Sequence, residues 1–68
     1  MRYAICEVTP EWVPEQQREF KRVSRVLQVF NSEDEARSVE GIFEPTRYGD
    51  YDTSIRVVAE DKLDELFR

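Results

Sequence analysis

Residues 23–41, with the sequence VSRVLQVFNSEDEARSVEG, decide the fold because they contain the densest apolar run of the chain and its clearest helix start. The stretch Val26–Phe30 is rich in β-branched and aromatic side chains, which favour a pleated strand. Asn31 and Ser32 interrupt this run, since side chains of their type bond to nearby backbone amides. The sequence therefore predicts a strand that ends at about Phe30 and leads directly into a helix.

The helix is predicted to begin after Ser32 and to end near Glu40. Ser32 and Glu35 have the spacing of a capping box, in which the serine hydroxyl accepts from the amide of Glu35 and the carboxylate accepts from the amide of Ser32. Acidic residues at positions 33 and 34 suit the positive end of a helix. Gly41 can take the left-handed conformation that ends many helices.

The segment before this helix has two competing patterns. Its apolar residues between positions 16 and 30 fall on one helical face, whereas the run VLQVF at the end of the segment is typical of a strand. Because a new helix starts directly afterwards, we interpret Lys21–Phe30 as a strand. A helical turn is predicted before it, near Pro14–Glu19.

The remaining segments predict further strands. Arg2–Val8 alternates in the manner of a first strand. Thr9–Gln17 contains two prolines, which remove backbone amides, and is predicted to be a connection. Residues 42–43 start an extended segment, and Thr53–Val58 is the last predicted strand. These two are expected to form a hairpin through a turn at Gly49–Asp50.

The end of the chain completes the predicted fold class. Asp61 can cap a final helix in which Leu63, Leu66 and Phe67 lie on one side. The order of elements predicts that residues 1–68 form one small α+β domain. It would contain a three- to four-stranded antiparallel sheet, a helix packed on one face, and a short C-terminal helix.

Length and composition limit the functions that the chain can have. A domain of 68 residues buries only about 60% of its unfolded surface, so its stability margin is small and a large enclosed active site is not expected. A homodimer would add stability. The single Cys6 cannot form an internal disulfide, and the sequence has no secretory or long apolar segment. We therefore expect a cytoplasmic protein with no membrane contact.

The sequence contains no pattern typical of an active site. It has no histidine, so Cys6 lacks an activating base and is interpreted as a small buried hydrophobe. The acids Glu44, Asp50 and Asp52 do not have the spacing of a calcium-binding loop. We expect no enzyme activity and no metal or other cofactor.

A basic stripe supports one alternative function. Residues 18–25 carry four basic side chains and one acid, a net charge of +3. On a regular strand, Lys21 and Arg25 would share one face, and Arg18 and Arg22 the other. This split, together with the net charge of −5, argues against nucleic-acid binding, which is kept as the alternative function.

Trp12 lies within the polar connection and has two interpretations. It either folds back over the edge of the core, which is the more common arrangement, or projects as an anchor for a partner. The second interpretation has support because tryptophan is enriched among the residues that dominate binding energy at interfaces.

Protein binding is the function that the composition favours. Residues 33–40 carry four acids and one arginine, a net charge of −3, and carboxylates so closely spaced can replace phosphates against lysine and arginine. Tyrosines near the turn at 49–50 add rigid contact area. The predicted contacts to a basic partner surface are Trp12, Glu33, Asp34, Glu40, Tyr48, Asp50, Tyr51 and Asp52.

In size and acidity the chain resembles the small proteins that phages and mobile elements encode to inhibit host defence, including anti-CRISPR and anti-restriction proteins. The resemblance covers bulk properties and no residue motif. It implies an inhibitor or regulator that blocks a nucleic-acid-binding surface of its partner by mimicking nucleic acid.

Overall fold

The computed structural model describes residues 1–45, 47–48 and 51–68. These residues form one α-helix, six strands and two short 3₁₀ turns. The elements are β1 (Tyr3–Val13), β2 (Arg18–Phe30), α1 (Glu33–Val39), a 3₁₀ turn (Glu40–Ile42), β3 (Arg47–Tyr48), β4 (Tyr51–Asp52), β5 (Ser54–Ala59), a second 3₁₀ turn (Glu60–Lys62) and β6 (Leu66–Phe67). The seven residues of α1 are the longest helix described, and no described helix is long and apolar enough to cross a membrane.

Four strands form one sheet in the order β5-β1-β2-β6. Every neighbouring pair in this sheet is antiparallel. β3 and β4 form a separate two-stranded hairpin. The predicted α+β class with a four-stranded antiparallel sheet is confirmed, and β1 and β2 are its two central strands.

β1 is longer than predicted, because Thr9–Val13 continues the strand and is not a connection. Pro10 lies opposite Lys21 of β2. β5 pairs with β1 only as far as Val8, so beyond that point β2 is the one strand that pairs with β1 in the described part of the chain. Proline is tolerated in such an edge segment because no second neighbour needs its missing amide.

The ambiguous segment is a strand, as predicted, but β2 begins at Arg18 rather than at Lys21. In place of a helical turn, residues 14–17 join β1 to β2 in a tight turn. The amide of Gln16 donates to the carbonyl of Val13 at 3.1 Å, and that of Gln17 to the carbonyl of Pro14 at 3.2 Å. Four-residue hairpin loops of this kind are common.

The helix start was predicted correctly. Ser32 is extended, and its hydroxyl accepts a hydrogen bond from the amide of Glu35 at 3.2 Å. α1 contacts β1, β2 and β5, and its Ala36 is fully buried. The prediction for Gly41 was wrong, because this residue lies in a 3₁₀ turn and does not have a positive φ. The helix ends in this 3₁₀ turn, where the backbone hydrogen bonds join residues three apart instead of four.

Two further predictions about the second half of the chain were wrong. Ile42 belongs to a 3₁₀ turn and is exposed, and β5 pairs with β1 rather than with residues 42–43. The C-terminal helix is replaced by the second 3₁₀ turn and by β6, which pairs with Lys21 and Arg22. An isolated helix of about seven residues is unstable, whereas the edge of β2 offers backbone partners.

The sheet is curled, and its two edge strands, β5 and β6, meet on one face. We call this the inner face, and it carries Ala4 and Cys6 of β1, both fully buried. Val58 of β5 belongs to the same apolar cluster, with Phe67 of β6 packed against it. The guanidinium of Arg56 lies 5.1 Å from the centre of the Phe67 ring. Small side chains at the centre of the curve leave room for the edges to approach.

Two irregularities in β2 allow this curvature. The register with β1 shifts between Ile5 and Cys6 and again between Glu7 and Val8. At these points Leu27 and Ser24 are extra residues with no partner in β1. Such bulges bend a strand and increase its twist. The hydroxyl of Ser24 donates to the carbonyl of Glu7 at 3.0 Å and so satisfies a backbone acceptor beside the second bulge.

The hairpin turn contains a strained residue that a substitution can relieve. Gln17 has φ = 51°, in the left-handed region, which costs a non-glycine residue roughly 1 kcal/mol or more. Gln17→Gly is expected to raise the free energy of unfolding by about 0.5 kcal/mol, because the relief exceeds the added chain entropy. This corresponds to an increase in melting temperature of about 2–4 °C, measurable by circular dichroism.

Gln16→Gly is the matched control, since Gln16 precedes Gln17 in the same turn and has no positive φ. At position 16 a glycine relieves no strain and only increases the conformational entropy of the unfolded chain, so the melting temperature should fall. Equal changes for both variants would show that the left-handed conformation of Gln17 stores no strain.

Candidate functional site

The topology brings two acidic segments to the same end of the sheet. Tyr3 lies opposite Phe30 of β2 and opposite Ala59 of β5. α1 starts just after the first of these strands, and the turn Glu60–Lys62 directly follows the second. The acidic residues at this end, called here the acidic end, are Glu33, Asp34, Glu35, Glu60 and Asp61.

A shallow depression of about 350 Å³ lies at the acidic end. Glu33 and Asp61 both line it, although they are 28 positions apart in sequence. Met1, Tyr3 and Phe67 contribute apolar surface. The depression therefore combines two carboxylates with apolar side chains and with the ammonium group of Lys62.

Salt bridges neutralise part of this charge. Arg2 pairs with Glu60 at 2.6 Å, and Arg37 pairs with Glu33 one helical turn away at 3.6 Å. Both pairs are largely exposed, so each contributes little to stability. Within the described residues, no salt bridge involves Asp34, Glu35 or Asp61. Lys62 also lies at this end and lines the depression, so the acids exceed the basic groups there by a small number.

Two of the five acids at the acidic end were predicted from the sequence as contacts to a partner. Glu33 and Asp34 were predicted as contacts and lie there, whereas Glu40 is half-buried at the far end of α1. Glu60 and Asp61 were missed because Asp61 was interpreted as a helix cap. The second run of acids near the C-terminus was a signal, but its position became clear only from the pairing of β5 with β1.

Trp12 does not fold back over the core, so the more common of its two arrangements was the wrong interpretation. Its side chain is 59% exposed near the tip of the β1–β2 hairpin. It lies nine residues along β1 from Tyr3, which corresponds to about 30 Å. The structure therefore places Trp12 and the acidic end at opposite ends of the sheet, and a compact site cannot contain both.

The tyrosine-rich segment lies between these two ends. β3 and β4 pair so that Tyr48 is opposite Tyr51, and β4 contacts β1. Asp52 is exposed and comes two residues before Ser54, whose partner in β1 is Val8. Gly49 and Asp50, predicted to form the turn, lie outside the described residues.

The basic stripe is arranged differently from the prediction. Because Ser24 is an extra residue in β2, Arg25 lies opposite Glu7 and Arg22 lies opposite Thr9. Directly opposed residues point to the same side of a sheet, so Arg18, Arg22 and Arg25 share the face that we call the outer face. Lys21 lies opposite Pro10 on the inner face.

Acidic and aromatic neighbours contact each of the three arginines. Arg22 makes two hydrogen bonds to the carboxylate of Glu11, from Nε at 2.6 Å and from a terminal nitrogen at 2.9 Å. Arg25 Nε lies 4.0 Å from the carboxylate of the fully buried Glu7. Arg18 lies over the ring of Phe20 at 5.9 Å. These contacts reduce the charge that the stripe offers to a ligand.

Cys6 is fully buried on the inner face, as expected for a small core residue. Burial raises the pKa of its thiol above the ordinary value, because the thiolate would lose its hydration. Among the described residues, no three potential metal ligands lie together.

The Glu11–Arg22 pair predicts a pH effect on stability. Its hydrogen bond lowers the pKa of Glu11 below the ordinary value. A carboxyl group with a lowered pKa stabilises the fold above its unfolded pKa of about 4.3, and this contribution is lost as the pH falls through the folded value. Glu11→Gln should therefore lower the melting temperature slightly at pH 7, and the difference from the unmodified chain should shrink as the pH falls below about 4.3.

Thermal unfolding between pH 3 and 7 at low salt measures this effect. Glu15→Gln is the control, because it removes the same charge from the exposed turn. Equal pH profiles for the two variants would mean that the pair with Arg22 does not contribute to stability.

No protein-family model matches this chain, and no curated protein or solved structure shows significant similarity to it.

Proposed function

We propose that the chain is a small, non-enzymatic protein-binding domain whose acidic end binds a basic surface of a partner protein. The observation that supports this proposal is the meeting of α1 and the Glu60–Lys62 turn at one end of the sheet. Carboxylates from two separate elements form a wider negative surface there than either element forms alone.

The chemistry of this end suits a surface that normally binds phosphates. Carboxylates accept charge-assisted hydrogen bonds from arginine and lysine in the same way as phosphate oxygens. The apolar surface of Tyr3 and Phe67 in the depression would add contact area that a phosphate group does not have. A partner could thus hold this domain in place of nucleic acid.

This chemistry supports a role as an inhibitor or regulator, of the kind that phages and mobile elements direct against CRISPR or restriction systems. We infer that it acts in the cytoplasm, where such partners bind nucleic acid. Trp12 is a second contact in this proposal, and only a partner spanning about 30 Å would touch both Trp12 and the acidic end.

Charge reversal at the acidic end tests the proposal. The purified, immobilised domain is used to capture proteins from the lysate of its own organism, and quantitative mass spectrometry compares variants. The double variant Asp34→Lys with Asp61→Lys should no longer capture nucleic-acid-binding proteins, because two charges that repel a basic surface replace two that attract it. Excess DNA should compete for the same proteins in the unmodified sample.

The matched control is Glu15→Lys combined with Glu44→Lys, which changes the net charge equally at two exposed positions that lie outside the acidic end and not opposite Trp12. It should retain the captured proteins. Circular dichroism must show that both variants remain folded, since a lysine near the start of α1 opposes the helix dipole. Equal capture by both variants would overturn the role of the acidic end, and loss of capture with Trp12→Ala alone would move the contact to the hairpin.

The second candidate function is nucleic-acid binding through the outer face. The observation in its favour is the bulge at Ser24, which brings Arg18, Arg22 and Arg25 to one side. The carboxylates of Glu7 and Glu11 and the net charge of −5 oppose it.

We expect no measurable binding of single-stranded or duplex DNA at physiological salt, because the acidic surface repels phosphate. Fluorescence anisotropy with labelled oligonucleotides over a range of salt concentrations measures this. Binding that weakens with salt, that is lost in Arg18→Glu with Arg25→Glu, and that persists in Lys21→Glu would instead favour the outer face.

A further inference from the structure

One edge of the sheet is open along most of β2. Among the described residues, β6 is the only strand at this edge, and it pairs only with Lys21 and Arg22. The backbone from Val23 to Phe30 therefore has its other side available. An open edge of this length is a template for pairing with another strand.

Exposed valines accompany the open edge. Val26 and Val29 lie opposite Cys6 and Ala4, so both point to the inner face, and they are 42% and 41% exposed. Residues three apart would point to opposite faces of a regular strand. They share a face here because the extra residue Leu27 lies between them.

We infer that this edge pairs with the same edge of a second copy of the chain, with the two β2 strands antiparallel about a two-fold axis between Leu27 and Gln28. In this register Val26 lies opposite the partner's Val29, and Arg25 lies opposite the partner's Phe30. The two sheets join into one of eight strands, because each copy contributes four. Overlap of six residues allows about six backbone hydrogen bonds.

Two of the three opposed pairs can be assigned to a face of the sheet, and both are consistent with this register. Val26 and Val29 both lie on the inner face, and Arg25 and Phe30 both lie on the outer face. Cross-strand pairing requires such agreement. A register shifted toward the start of β2, with Val26 opposite the partner's Val26, would place Phe30 opposite the partner's Arg22. That position is already occupied by Leu66 of β6.

Charge also favours a second copy over another partner. Residues 18–25 carry a net charge of +3 and residues 33–40 a net charge of −3. Because Phe30 lies opposite the partner's Arg25 in this register, the acidic start of α1 in each copy comes close to the basic segment of the other copy. Arg25 is the only charged residue within the overlap, and its two copies lie about 17 Å apart, beyond the screening length in physiological salt.

Sedimentation equilibrium over a range of concentrations tests the pairing. The unmodified chain should form a dimer of twice 8.1 kDa. Val26→Lys should raise the dimer dissociation constant by about a hundredfold, because each dimer contains the pair twice and each copy contributes about a factor of ten. Ile42→Lys is the control, since Ile42 is 75% exposed but lies off this edge, and it should remain dimeric.

Cysteine cross-linking tests the register without requiring a disruptive substitution. The double variant Val26→Cys with Val29→Cys should oxidise to a covalent dimer, whereas either single variant should not. Within one chain these positions are about 10 Å apart, too far for a disulfide. Cys6 is buried and does not compete.

Three outcomes would overturn the inference. The first is a monomer at every soluble concentration, which would mean that the bulge at Leu27 protects the edge instead of shaping it. The second is equal loss of the dimer in Val26→Lys and Ile42→Lys. The third is cross-linking of a single cysteine variant as fast as the double variant.

Discussion

The rest of the structure depends on the close approach of β5 and β6 across the inner face. Ala4 and Cys6 at the centre of β1 have small side chains, so Val58 and Phe67 from the two outer strands can meet above them. Arg56 of β5 links the two edge strands. Its guanidinium lies over the Phe67 ring and donates to the carbonyl of Arg68 at 2.9 Å. Larger side chains at positions 4 and 6 would force the edges apart, because protein interiors have little spare volume.

The two bulges in β2 connect this curvature with the surface chemistry. Each extra residue reverses the alternation of the strand, so side chains beyond it change face. The bulge at Ser24 moves Arg25 to the face of Arg22, and the bulge at Leu27 moves Val29 to the face of Val26. The same distortion that bends the sheet therefore determines which charges and which apolar groups lie side by side.

The curled sheet keeps the acidic end and Trp12 apart. The acidic end is formed where β2 and β5 end, whereas Trp12 lies near the tip of a hairpin that extends beyond β5. The open edge of β2 runs from Val23 to Phe30 and so reaches the acidic end. The surface proposed for a basic partner therefore adjoins the edge proposed for a second copy, and the capture and dimer experiments test the two proposals separately.

Local patterns in the sequence determined the elements whose cause is local. The cap at Ser32 and the strand character of Val26–Phe30 depend on neighbouring residues, and the structure contains both. The sequence also indicated the acids of α1. Tertiary pairing decided the rest: Thr9–Val13 is a strand because β2 lies beside it, and residues 66–67 form a strand because the edge of β2 is open to them. The bulges in β2 determine the faces on which Arg25 and Val29 lie, and strand pairing brings Glu33 close to Asp61. Both depend on contacts between distant segments, which cannot be predicted from the periodicity of one segment.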